Sequence, residues 1–253
     1  SCTTNVQFYT SYNYRRALVW TAVMTALSHL DPAFASVVSI EAVNEPIMDA
    51  MQTPGYGAFQ KQFVWTVRVV ERMLGIGSRS KWHGGARATQ DDLVAMMKAA
   101  LTSASPDMDS SWQHFTGPNP AEAQDGPQIY DNHLYYRFGV ADANEEAYMH
   151  SICNLQRVPD DAALGNSPLV FGEWGLSTQF GASDAFLRKW ADAQKLAYTK
   201  GAGWIFWNFK IEKSRLAGSL SRQWSYFDGV ARGYLTVDPS QLHDSHVCDA
   251  YLV

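Results

Sequence analysis

The chain has no excess of basic charge, no long apolar run and few cysteines, and each shortage removes a class of function. Lys and Arg number 20 against 25 Asp and Glu, a net charge of −5 over 253 residues. No basic stripe is present to hold phosphates, so nucleic acid is excluded as a partner. No apolar run approaches the roughly 20 residues that cross a bilayer, so no membrane span is expected. The three cysteines, Cys2, Cys153 and Cys248, are an odd number, which leaves one thiol over. His243 and His246, near Asp244 and Asp249, have no Cys or His partner set, and His83 beside Gly84 and Gly85 matches no metal or phosphate motif. Neither a metal nor another cofactor is therefore expected. No Gly-x-Ser-x-Gly elbow precedes a helix, which removes Ser-His-Asp hydrolysis. No long polar or Pro/Gly-rich stretch divides the chain, so one domain over residues 1–253 is expected. The chain opens at Ser1 without a methionine or a signal-type apolar segment, and the expectation is that any secretion signal has already been removed or was never part of this sequence.

What the chain does have is aromatic residues, 13% of the total with nine tryptophans, more than a core alone needs. It also has two glutamates in unusual company. Glu45 closes the run from Ser36 to Pro46, and Glu173 closes Ser167-Pro168-Leu169-Val170-Phe171-Gly172 and is followed by Trp174. Short runs rich in β-branched and aromatic residues, ended by Pro or Gly, read as buried parallel strands with the glutamates at their C-terminal tips. Such tips are where α/β barrels keep their catalytic groups.

Helical spacing over Tyr14–Leu30 (Leu18, Trp20, Val23, Leu27, Leu30) predicts a first helix ending at Asp31-Pro32, ahead of the strand that leads to Glu45. Phe59–Leu74 predicts a second helix, with Phe63, Val67 and Val70 on one face and Gly75 at its end, and Thr89–Leu101 a third. Met108–Phe115 is a weak strand pattern and Ile129–Tyr136 a stronger one, followed by a helix near Glu145–Cys153. Beyond the strand Leu169–Glu173, an amphipathic helix over Ser183–Lys200 leads to the apolar strand Gly203–Asn208, and the tail from Ser221 reads as irregular. Strands alternating with helices imply an α/β fold with a parallel sheet and right-handed crossovers.

Two inward-facing glutamates on separate strands of one barrel rim can stand about 5 Å apart, the separation for a retaining glycosidase. Alternation puts Val43 and Glu45 on one face and Ala42 and Asn44 on the other, and the twist of a strand end can bring Asn44 to the site, where it would bond a sugar hydroxyl. For Asp49, Trp112, Trp174 and Trp224, sugar contact competes with packing or solvation.

Four segments carry a resemblance: Ile40-Glu41-Ala42-Val43-Asn44-Glu45-Pro46, Asp131-Asn132-His133-Leu134-Tyr135, Phe171-Gly172-Glu173-Trp174, and Gly203 to Glu212. Together they resemble glycoside hydrolase family 5, with wording most similar to the fungal exo-β-1,3-glucanases. The resemblance implies Glu45 as acid/base, Glu173 as nucleophile, and His133 and Tyr135 as a pair at the nucleophile. It implies Trp207 as the floor under the reacting sugar; Asn44 and Trp174, from the reading of the residues above, join these as candidate sugar contacts. The substrate so implied is a β-glucan or gluco-oligosaccharide, with β-1,3 linkage indicated by that subgroup, and the protein is expected to be secreted.

The resemblance covers only the later part of the family's barrel. The three strands that precede the Asn-Glu-Pro strand in the family, with an arginine and a histidine of the sugar site, have no counterpart here. The expected fold is therefore an incomplete or rearranged TIM-type (β/α) barrel corresponding to strands four to eight. Opened this way, a barrel exposes edge strands and apolar interior. Three repairs are open: replacement strands from the N-terminal segment, with Val6–Thr10 as one substitute, a homodimer covering the gap, or a separate chain. Cys153 and Cys248 stand where family relatives carry a disulfide that ties down the tail, so their pairing is implied. Two functions follow: a retaining β-glucan hydrolase, favoured by the intact glutamate motifs, or a β-glucan-binding protein derived from one.

Overall fold

Helix α1 (Ser11–Leu30) and helix α2 (Tyr56–Met73) pack against each other within one compact unit, residues 1–128, and the remaining elements form a second unit, residues 129–253. The computed structural model describes residues 10–37, 39–42, 44, 56–76, 129–212 and 221–253. Outside that set lie Glu45, Asp49, His83 and Trp112, the segments Thr89–Leu101 and Met108–Phe115, the substitute strand up to residue 9, and Cys2.

The face that α1 buries differs from the one its large apolar residues suggested. Tyr14, Leu18, Ala22 and Ala26 form the buried line, one residue per turn, while Trp20 is 58% exposed. Small residues at 22 and 26 permit close approach to α2, where Val70 is buried against them. Nearer the start of α1, Tyr14 meets Phe59 edge to face at 5.3 Å. Helix α1 stops where expected: Asp31 caps the following turn, its carboxylate accepting from the Ala33 amide at 2.9 Å. Helix α2 ends in a left-handed Gly75 with φ of 73°. There the Ile76 amide donates to the Glu71 carbonyl and the Gly75 amide to Arg72, the paired closure that glycine permits. The strand expected over Ser36–Pro46 is not observed among its described residues, 36, 37, 39–42 and 44, none of which lies in a ladder. An apolar run becomes a strand only when a neighbour takes up its backbone groups.

The second unit is a mixed α/β arrangement around a small parallel sheet. Strands β1 (Tyr130–His133), β2 (Leu169–Trp174) and β3 (Gly203–Phe206) lie side by side in chain order. Helices α3 (Glu145–Cys153) and α4 (Arg157–Ala163) connect β1 to β2, and α5 (Asp184–Tyr198) connects β2 to β3. Helix α3 is capped by Asn144, which accepts from the Ala147 amide at 2.8 Å. Helix α5 is capped by Ser183, which accepts from Phe186 at 3.1 Å. The tail holds two short helices, α6 (Ser221–Trp224) and α7 (Tyr226–Ala231), rather than wholly irregular chain.

The core of this unit is aromatic. Phe171 of β2 stacks on Tyr198 of α5 at 4.2 Å, and Trp190 of α5 meets Tyr136 at 4.7 Å and Tyr148 of α3 at 5.1 Å. Burying each such ring contributes roughly 1.5–3 kcal/mol. The tail is tied to α3 by the expected Cys153–Cys248 disulfide, whose Cα atoms are 5.4 Å apart and which closes 95 residues of chain. Asn154 strengthens the tie: its amide donates to the Tyr251 carbonyl at 2.7 Å and its carbonyl accepts from Val253 at 3.1 Å.

Candidate active site

Asp131, His133 and Tyr135 follow one another at two-residue intervals, so an extended chain sends all three side chains to one face of the sheet. That face meets Glu173. The Tyr135 hydroxyl donates to Glu173 Oε2 at 2.7 Å, and His133 Nδ1 stands 3.6 Å from the same oxygen. On its other edge, His133 Nε2 lies 3.3 Å from Asp131 Oδ2. The sequence predicts three of these four side chains as a site, and the structure brings all four together.

Glu173 reaches this face because β2 carries one residue too many. Between the paired positions Asp131–Val170 and His133–Glu173, β1 advances two residues and β2 three. The same mismatch recurs against β3, between Phe171–Trp204 and Trp174–Phe206. A bulge at Gly172-Glu173 therefore breaks the alternation, putting Trp174 on the side of Phe171 and Glu173 on the opposite side. Strict alternation would have sent Glu173 toward α5 with Phe171.

The bulge needs glycine for a steric reason. The Gly172 amide donates to Asp131 Oδ1 at 2.8 Å, and a Cβ at this position would sit 2.2 Å from that oxygen. Any side chain would displace the Asp131 carboxylate.

Only 8% of Glu173 is exposed. A carboxylate buried this far needs hydrogen bonds, and the short Tyr135 contact is of the charge-assisted kind. It engages Oε2 and so restrains the plane of the carboxylate. The Tyr135 ring is itself held against Phe138 at 6.1 Å and Trp224 at 5.3 Å.

The remaining expected residues divide. Trp207 follows β3 directly, its amide donating to the Trp174 carbonyl at 2.8 Å, and its indole is 47% exposed, as a sugar platform requires. The Trp207–Asn208 peptide bond is cis. Asn44 is exposed and belongs to the other unit, and Glu45 lies outside the described residues. Trp174 corrects the expectation placed on it. It is fully buried, with edge contacts to Tyr198, Trp204 and Phe206 at 5.4, 5.2 and 4.9 Å, so neither face of its indole is open to a sugar.

Asp131 carries no assigned role in the sequence reading, and Trp224 enters it only as a sugar-contact candidate, not as a support for Tyr135. Asp131 was legible as Asp-x-His on a strand, a spacing that places both groups on one face. Trp224 has no local signal, because its contact with Tyr135 spans some 90 residues of chain.

No family model matches the chain. Among curated proteins, the chain is similar to a protein of Neosartorya fischeri named "Probable glucan endo-1,6-beta-glucosidase B", with 28% identity over 257 residues, 95% of this chain and 54% of that protein. It is also similar to glucan endo-1,6-beta-glucosidase B of Emericella nidulans, 28% identical over 256 residues, 96% of this chain and 54% of that protein. A protein of Aspergillus terreus with the same type of name is 25% identical over 254 residues, again 54% of its length. The chain thus spans about half the length of the curated relatives it matches, and those relatives carry the names of β-glucan glycoside hydrolases.

Proposed function

We propose that this protein is a retaining glycoside hydrolase acting on β-glucan, with Glu173 as nucleophile and Glu45 as acid/base. The observation that carries the reading is the Glu173 carboxylate, nearly buried on a strand-end bulge and gripped at one oxygen by Tyr135. A surface glutamate without chemical work needs neither feature. In the reaction, Glu173 Oε1 attacks the anomeric carbon while Glu45 protonates the departing glycosidic oxygen, forming a glycosyl-enzyme ester. Glu45 then takes a proton from water, which displaces Glu173. His133 and Tyr135 hold the nucleophile, Trp207 offers its exposed face to the sugar, and Asn44 bonds a hydroxyl beside the reacting carbon. No cofactor is required.

The three parallel strands support a wider reading as part of an incomplete (β/α) barrel. The linkage is the open variable: the motifs resemble exo-β-1,3-glucanases, whereas the relatives are named for β-1,6-glucan. We favour β-1,6-glucan, because the relatives match along nearly the whole chain and the motifs cover four short segments. A role outside the cell is supported by the Cys153–Cys248 disulfide, a bond that persists in oxidising surroundings.

The test is reducing-sugar release from a linear β-1,6-glucan and from laminarin, by wild type and by Glu173→Ala. The reading expects turnover on the β-1,6-glucan that the substitution abolishes. Binding of both glucans without any turnover in the wild type would leave the β-glucan-binding alternative in its place.

A further inference from the structure

The Asp131 carboxylate sits at a junction that the hydrolytic reading above does not use. One oxygen, Oδ1, accepts the Gly172 amide of the β2 bulge at 2.8 Å; the other, Oδ2, faces His133 Nε2 at 3.3 Å. Space for this carboxylate exists only because residue 172 has no side chain. The aspartate is therefore held from two sides, by its own strand and by the amide next to Glu173.

An ionised carboxylate only accepts hydrogen bonds, so the His133 nitrogen that faces it must carry a proton. That choice fixes the ring, since the two imidazole nitrogens are distinct and the partner of one dictates what the other presents. The ring's opposite edge then stands toward Glu173, with Nδ1 at 3.6 Å from Oε2. Among the described residues of this unit, Asp131 from β1 and Glu173 from β2 face His133 on its two edges.

We propose that Asp131 is a positioning residue: clamped on the Gly172 amide, it holds the Nε2 proton of His133 and so sets the edge that this ring presents to Glu173. The catalytic part of this proposal rests on Glu173 as nucleophile; the histidine geometry does not. It also gives the bulge glycine a functional reason, because a side chain at 172 displaces the group that orients His133.

The test is Asp131→Asn, which is isosteric. Its carbonyl oxygen keeps the Gly172 hydrogen bond, while its amide group turns donors toward His133, so Nε2 must become an acceptor and the ring keeps a proton on Nδ1 alone. Nitrogen NMR of the imidazole in the intact protein should show Nε2 as a protonated nitrogen in wild type and an unprotonated one in Asp131→Asn. Turnover should fall roughly ten- to a hundredfold in kcat with KM little changed, the usual scale for groups one step removed from the reacting atoms. Gly172→Ala should reproduce both changes with Asp131 intact. An unchanged His133 nitrogen pattern in Asp131→Asn, or an unchanged kcat despite the altered pattern, overturns the positioning role. If wild type has no turnover while the nitrogen pattern switches, the reading of Glu173 as nucleophile fails and the orientation of His133 by Asp131 stands.

Discussion

At the scale of single residues, the hydroxyl of Tyr135 is the group whose removal is most informative. It makes a 2.7 Å hydrogen bond to a nearly buried carboxylate, and bonds to charged groups contribute about 1.5–3 kcal/mol. Tyr135→Phe keeps the ring contacts with Phe138 and Trp224 and should lower kcat/KM about ten- to a hundredfold with an unchanged circular dichroism spectrum. Trp174 belongs to a different account. Its full burial among Tyr198, Trp204 and Phe206 means that Trp174→Ala should cost roughly 3–5 kcal/mol in denaturant unfolding, as large core truncations do. A glucan-contact role would instead raise KM and leave stability alone. The sequence separates these two tryptophans poorly, because Trp174 and Trp207 both follow apolar strand runs. What divides them is the extra residue in β2, a feature of pairing between strands that no single run displays.

At the scale of elements, the second unit was legible because its signals are local. Asn144 before Glu145-Glu146, and Ser183 before Asp184, announce helix starts through side chains that cap the chain within three residues. Ser183→Ala should therefore cost about 1 kcal/mol of stability, measurable as a lower denaturant midpoint at constant slope. Helix α1 shows where pattern reading falls short. Large apolar side chains indicated one face, yet α2 packs on the face where alanines at 22 and 26 let two backbones approach. Size alone does not decide burial; the partner's shape does. The expected strand before Glu45 shows a related limit, since its apolar composition says nothing of which neighbour would complete its ladder.

At the scale of the whole molecule, charge and cross-linking set the conditions under which the site persists. Burial pushes the Tyr136 phenol up to about 12, partly opposed by its hydrogen bond with Ser151, and burial also raises Tyr198 well above the ordinary phenol value. Above pH 10 the unfolded chain releases these protons while the folded chain keeps them, so the folded state binds more protons and loses stability as pH rises. For Tyr136 the stabilisation is complete below about pH 10 and disappears by about pH 12, a loss of roughly 2–3 kcal/mol. Denaturant midpoints measured from pH 8 to 12 should be flat and then fall over that window. The disulfide acts at every pH. Closing 95 residues should stabilise by about 4–5 kcal/mol in the chain-entropy view, so replacing Cys153 and Cys248 with serine should lower the thermal midpoint by roughly 8–20 °C. The central claim, that Glu173 attacks the anomeric carbon, is tested most directly by trapping. Incubation with a 2-deoxy-2-fluoro-β-glucosyl fluoride, followed by intact mass and peptide mapping, should find one added fluoroglucosyl group on the peptide containing Glu173. An adduct on another carboxylate, or turnover on β-glucan with no adduct and an inverted product anomer, would contradict it.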